Sequence, residues 1–312
     1  MSTVARMPEA DPLYAQPLSE RPVYATGMLL DAQDFADEQT YHRVQLARAM
    51  AFLAGGGTLA GLRVTHQAAT TGEHAIPEEI RVEPGLAVDR LGRLIELPRP
   101  ACLRLPRWYD AQNAIDGGGT LKRSAYADLD RFLSARAIAE AAAVPERAVV
   151  ADVFLRFVAC PRGLTPSFAA GPFDALNAVS TSRVRDAYEL LLIPRQGLEN
   201  DYDGLPAAPG PAAVGDTEAD TPERHAARRD ALQNAVLDAY TVSGRSGSAG
   251  QLAPLPEQPN GLDPTAVFIA RTLIPVAAGD DPPVRQGDAV LVDNWRRRLI
   301  PSASLLAQWI GV

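Results

Sequence analysis

Residues 78–98, "EEIRVEPGLAVDRLGRLIELP", constrain the fold more than any other stretch of the chain. Apolar and polar residues alternate there with period two, and "PG" and "RLG" interrupt the alternation at short intervals. Such a pattern requires strands with one wet face, and turns this tight require the neighbours to be antiparallel. Strands are predicted at 79–83, 86–89 and 93–97, preceded by one at 61–66 in "LAGLRVTH". No regular βαβ alternation follows. An α+β class is therefore expected, with a long N-terminal helix packed on an antiparallel β core of hairpins.

That helix begins at Asp31, a good N-cap, with Asp34 and Asp37 placing negative charge near the positive end of the helix dipole. Tyr41, Val44, Ala47, Met50 and Ala51 recur at helical spacing, with Leu46 and Leu53 widening the stripe, and "AGGGT" (54–58) stops it. A second helix is predicted over 125–143, with Leu129, Phe132, Leu133, Ile138 and Ala142 as its apolar positions. Strands are predicted at 147–160 and 182–194, the latter with apolar residues on changing faces that suggest a bulge. Thr221 and Pro222 start a helix running to about Tyr240, with Leu232, Ala235, Val236 and Ala239 expected to be buried. "SGRSGSAGQLAPLPEQPNG" reads as a flexible linker, strands return at 265–277 and 289–294, and a last helix covers Ser302 to Ile310. The expected organisation is an extended proline-rich arm (1–22), an α+β core (23–194), a loop-rich insertion with one helix (195–263), and a segment completing the core (264–312).

Composition narrows the function classes. Of the 312 residues 46% are apolar, enough for a real core. The net charge of −8, from 38 acidic and 30 basic residues, runs against nucleic-acid binding, which needs clustered basic residues to neutralise phosphates. No window approaches the roughly 18 apolar residues of a spanning helix, and the N-terminus has no apolar leader, so no membrane insertion and a cytoplasmic site of synthesis are expected. Cys102 and Cys160 lack zinc-ligand neighbours and are expected to be buried free thiols.

Candidate chemistry is sparse. Asp34, Glu38 and His42 lie at i, i+4 and i+8 along one helix edge, but a metal site needs a third converging ligand and a second shell, for which the sequence offers no obvious supplier. The ordinary reading is a solvated edge with Glu38 paired to His42 or Arg43. His66 and His74, with Glu73, read as surface residues around a hairpin loop, and His225 as exposed in a helix. "AGGGT" and "DGGGT" lack the GK[ST] of a phosphate loop, and no G-x-S-x-G, H-E-x-x-H or G-x-G-x-x-G occurs. Glu199, Asp201 and Asp203 lack calcium-loop spacing. No enzyme, metal or cofactor is expected. Trp108 and Tyr109 in "RWYD" are the one candidate platform for a glycan, weighed against a role as half-buried loop anchors.

With those residues in place, a wider pattern emerges. "GMLLDAQDFADEQTYHRVQLARAM", then "GGGTLAGLRV" and "IRVEPGLAVDRLGRLIELP", resembles a family encoded with phage-tail-like contractile injection systems. The matching positions are Gly27, Leu29, Leu30, Asp34, Phe35, Glu38, Gln39, Tyr41, His42, Arg43, Gly61, Leu62, Val64, Pro84, Gly85, Asp89, Gly92, Arg93 and Ile95. "SRVRDAYELLLIP", "FIARTLIPV" and "VDNWRRRLIPSASLL" add weaker likenesses. The "AGGGT" turn departs from the pattern, which often has a bulky residue there. The resemblance implies a structural protein at the baseplate or tail-fibre end, present in several copies, with other particle subunits as its partners. It also implies that the acidic edge is a capping and pairing network: Asp34 accepts from nearby backbone, His42 or Arg43 bridges helix to hairpin, and Asp89 pairs with Arg93. The alternatives are a glycan- or cell-surface-binding fibre module and, further off, a metal-dependent hydrolase.

Overall fold

The computed structural model describes residues 20–72, 75–166, 179–200, 202–207, 221–242, 252–277, 279, 281–287 and 289–311. The arm predicted over 1–22 lies almost wholly outside the described residues, as do Glu73, His74 and Asp201.

Helix α1 (Ala32–Leu53) starts where expected. The Asp31 carboxylate accepts from the backbone of Gln33 (2.8 Å) and Asp34 (3.2 Å), and Asp34 Oδ2 accepts from Asp31 N (2.9 Å), a reciprocal capping box. At its other end the backbone N–H groups of Ala54 and Gly55 bond Met50 and Ala51 carbonyls, with Gly55 at φ +72°.

Six short strands follow: β1 (Gly57–Gly61), β2 (Val64–Gln67), β3 (Glu79–Val82), β4 (Gly85–Val88), β5 (Leu94–Leu97) and β6 (Ala101–Arg104). They form two antiparallel three-stranded sheets, ordered β1-β4-β5 and β2-β3-β6. The strand predicted at 61–66 is thus two strands in two sheets. Leu62, at φ +55° and fully buried, makes the break, because a left-handed residue cannot continue a ladder.

Helix α2 (Leu105–Asp116) and the short α3 (Gly119–Arg123) precede strand β7 (Ala125–Ala127). The single helix predicted over 125–143 is not formed. After β7 come a 3₁₀ turn (Leu129–Phe132) and helix α4 (Ala135–Glu140). Asp128 at φ +56° blocks an earlier start. Ser134 begins a new helix because its Oγ accepts from Ala137 N (3.0 Å) while Asp293 accepts both its N–H (2.6 Å) and its hydroxyl (3.0 Å).

Strands β8 (Arg147–Pro166) and β9 (Val179–Pro194) form a long antiparallel ribbon. Helix α5 (Pro222–Val242), β10 (Val267–Pro275), β11 (Leu291–Asp293) and α6 (Ala303–Ile310) complete the order. Strand β8 pairs with β10 along one edge and with β7 and then β9 along the other. The bulge expected in β9 is absent, since β8 and β9 hold one register from Ala151↔Pro194 to Pro166↔Val179. Register shifts occur instead in β10, between Phe268 and Ala270, and in β1, between Thr58 and Ala60.

One core joins all three sheets: Leu62, Val64, Ile80, Val82, Ile95 and Leu97 pack with Val149, Val153, Leu155 and Ile269. The opposite face of β8 is covered by Leu129, Phe132 and Leu133 at one end, and by Leu205 and Phe268 against Phe154 at the other. Burial on both faces explains the near-continuous apolar runs of β8 and β10. The fold is α+β, as the sequence indicates.

Three expectations fail on burial. Both cysteines are free, but exposed rather than buried: Cys102 lies on the wet face of β6 and Cys160 on the outer ribbon. In α5, Leu232, Ala235 and Val236 are exposed rather than buried, because periodicity identifies an apolar face without saying what covers it; the side chain of Ala239 lies outside the described ones. Nor is the stretch before β10 a free linker throughout. Leu252, Glu257 and Gln258 are buried, and Gln258 Nε2 donates to Pro264 O (3.0 Å) and Ala266 O (2.9 Å).

Candidate functional site

The charged residues fall into buried clusters that hold the fold together. In the β4–β5 turn, Asp89 is fully buried and its carboxylate accepts from Leu91 N (2.9 Å), Arg93 N (2.9 Å) and Arg93 Nε (2.6 Å). Burial pushes the Asp89 carboxyl up, and Arg93 and the backbone donors pull it back. Arg93 continues to Thr265 Oγ1 (2.9 Å), whose hydroxyl donates to Asp263 (2.7 Å), and its guanidinium lies 4.6 Å from the Phe157 ring centre. The Asp89–Arg93 pairing is therefore observed as expected.

Asp152 on β8 is the centre of a larger cluster. Arg271 on β10 meets it with two bonds, Nε to Oδ1 at 2.8 Å and Nη2 to Oδ2 at 3.0 Å, and Arg195 Nη1 lies 3.4 Å away. The same arginines grip the segments flanking α5. Arg271 donates to the carbonyls of Asp203 (2.6 Å) and Gly204 (3.1 Å), and Arg195 donates to Glu257 O. Arg296 pairs with Asp203 (2.8 Å), Arg298 with Glu257 (3.1 Å), and Arg90 donates to Ala253 O (2.6 Å). The ends of the insertion are thus clamped to the sheet by arginines.

A third cluster corrects the reading of His66 as a surface residue. Its side chain is buried, Nδ1 accepts from Val290 N (3.3 Å), and Nε2 therefore donates to Glu78 Oε1 (2.7 Å). Arg285 also pairs with Glu78. Partial burial pushes the Glu78 carboxyl up, but hydrogen bonds and charge from Arg285 and His66 outweigh it, leaving the group below its usual range.

Trp108 is half-buried and Tyr109 buried. They sit on α2 rather than in a loop, with Trp108 Nε1 donating to Leu192 O (2.8 Å) and Tyr109 OH to Pro283 O (2.9 Å). Tyr109 is buried, which pushes its hydroxyl up to about 12. Among the described residues no three His, Cys, Asp or Glu side chains converge as metal ligands would, and no helix is long and apolar enough to cross a membrane.

What remains open to other molecules lies at the periphery. On α1, Asp34 is the partner of the Asp31 cap already described, and Glu38 Oε2 accepts from Tyr24 OH (2.5 Å). Tyr41 is half-buried, Arg43 is exposed, and His42 is exposed and meets Tyr41 edge-on at 5.5 Å. Helix and hairpin meet closely at Ala47 against Gly92: Gly92 has φ +84°, and a Cβ there would run into the Ala47 carbonyl.

The opposite face of α1 is uncovered. Phe35, Leu46 and Leu53 are exposed, and their spacings of 11 and 7 residues keep them within about 20° of one line. The lead into the helix is bare as well, with Leu29 95% exposed beside Val23, Tyr24 and Met28. Helix α6 exposes Leu305, Ile310 and Trp309, the last at 86%, and α5 exposes Leu237 at 76%.

Sequence reasoning misses Asp152, Arg271, Glu78 and Arg285. For the first two a signal exists: "VVADVFL" and "FIARTLI" each carry one charge, of opposite sign, inside an otherwise apolar strand. No protein-family model matches this chain, and no curated protein matches it in sequence.

Proposed function

We propose that this chain is a non-enzymatic structural component of a phage-tail-like contractile injection particle, at its baseplate or tail-fibre end. The carrying observation is the set of large apolar side chains left bare on the periphery: Leu29, Phe35, Leu46 and Leu53 on and before α1, Leu237 on α5, and Trp309 and Ile310 on α6. Scattered apolar residues on a surface are ordinary, but rows of them along helices mark surfaces that another protein covers. The sequence resemblance supplies the kind of assembly. In this reading the chain is made in the cytoplasm, incorporated in several copies, and carried out with the released particle.

The engagement of the ionic clusters supports a structural role over a hydrolytic one. Asp89, Asp152, Glu78 and His66 are each bonded to partners that fix the fold. The glycan-binding alternative loses its two aromatic residues, since Trp108 and Tyr109 point their polar atoms at backbone carbonyls of the same chain. The test is to replace Leu29 and Trp309 by serine and add the variant to particles assembled without this chain. The expected result is an unchanged urea midpoint with incorporation reduced about tenfold or more. Incorporation equal to that of the natural chain would refute the reading.

A further inference from the structure

The β8–β9 ribbon outruns the sheet that supports it. Pairing with β10 ends at Leu155, yet β8 and β9 stay paired in register to Pro166 and Val179. From Cys160 to Thr165 and from Thr181 to Asp186 every residue is exposed, a free length of about 20 Å.

Side chains directly opposite in an antiparallel pair share a face. Cys160↔Arg185, Arg162↔Arg183 and Leu164↔Thr181 are successive rungs on one face, so three arginines and Leu164, 77% exposed, lie together. Arg162 and Arg183 are directly opposite, an arrangement of like charges that weakens a ribbon. Inward along the same face the next charged rung is neutralised, because Arg156 pairs with Glu189. The outer rungs have no such counterpart among the described residues. The ribbon therefore presents a basic surface with Leu164 at its outer end, on a chain whose net charge is −8.

The complementary surface is on α1. Asp31, Asp34 and Glu38 recur at helical spacing along one edge, beside exposed Phe35 and the bare Leu29 and Leu30. Arg183 and Arg185, two residues apart on a strand, are separated by about 6.8 Å, and carboxylates three or four apart on a helix by about 5–6 Å. The two rows match in spacing, are opposite in sign, and each is flanked by exposed apolar residues. The ribbon arginines and Asp31 are exposed, Asp34 and Glu38 are half-buried, and the bonds described for the acidic row are all to the N-terminal segment, so the ribbon does not lie on its own α1.

We infer that the ribbon of one copy docks by Arg162, Arg183, Arg185 and Leu164 on the Asp31/Asp34/Glu38 edge of α1 in a second copy. The contact is head-to-tail, so repetition builds a ring if the rotation closes. The inference rests on the assembly reading and names one partner within it, another copy of this chain.

Sedimentation of the purified full chain over a range of concentrations at low salt tests it. The expected result is a mass that rises with concentration and falls back as salt screens the contact. Arg183→Glu with Arg185→Glu should weaken association about tenfold. So should Asp31→Ser with Glu38→Arg, a pair in which the introduced serine keeps an oxygen for capping α1. All four changes in one chain should recover part of the association lost in either double variant, since the arginine introduced at 38 then faces the glutamates introduced at 183 and 185, which separates a broken contact from misfolding. A natural chain that stays monomeric, or a fourfold variant that fails to recover, overturns the inference. So does single-stranded DNA binding lost with the ribbon arginines while the chain stays monomeric, since the basic face would then serve a nucleic acid. A monomer that still joins particles would sink this contact alone. A self-associating chain that ignores particles would sink the assembly reading alone.

Discussion

Asp152 shows how far single residues carry this fold. It is buried in a central strand, and two arginines from different segments reach it, one bidentately. Removing one partner of a buried ion pair leaves an uncompensated charge, which commonly costs about 3–5 kcal/mol. Asp152→Ala is therefore expected to lower unfolding stability in urea by that amount, because it strands both Arg271 and Arg195. A loss below about 1 kcal/mol would show that the cluster is not structural. Glu78 adds a pH dependence. Its folded carboxyl titrates below the ordinary value of 4.5, so its stabilisation is complete above that value and is lost as pH falls through the lower folded one. Comparing the natural chain with Glu78→Gln, the stability gap should be widest near neutrality and narrow as pH falls below the ordinary carboxylate range. A gap that does not change with pH would contradict this.

At the scale of elements, what is legible in the sequence depends on range. The hairpins of 79–97 are readable because period-two alternation and turn residues are local, and Asp89–Arg93 because both lie within one turn. The pairing of Asp152 with Arg271 is not, since 119 positions separate the partners, although the lone charge in each apolar strand marks a residue that needs one. The helix expected at 125–143 breaks into three pieces because Ser134 is capped through distant Asp293, and the apolar face of α5 reads as buried in the sequence yet is bare. The seat of α1 is equally particular. Gly92→Ala would place a methyl against the Ala47 carbonyl in a left-handed conformation that alanine resists. The expected outcome is a loss of about 2 kcal/mol or more, with faster hydrogen exchange in α1 than in the sheets. Uniform exchange across the molecule would show that α1 is held some other way.

The whole molecule keeps one apolar core at its centre and leaves further large apolar residues exposed at the rim. Three sheets share one core, arginines pin the flanks of the insertion, and α1, the outer ribbon, α5 and α6 project with exposed faces. That distribution suits a part whose surroundings complete it. It is also why function is less legible than fold: strand periodicity is written in the residues that form the strand, whereas a covering partner is written in another chain. The most direct test of the structural role is the mass of particles assembled without this chain, measured before and after the purified protein is added. A fixed gain in mass per particle, in whole multiples of 33.3 kDa, is the predicted result. Particles of unchanged mass, with the protein left free and folded in solution, would contradict it.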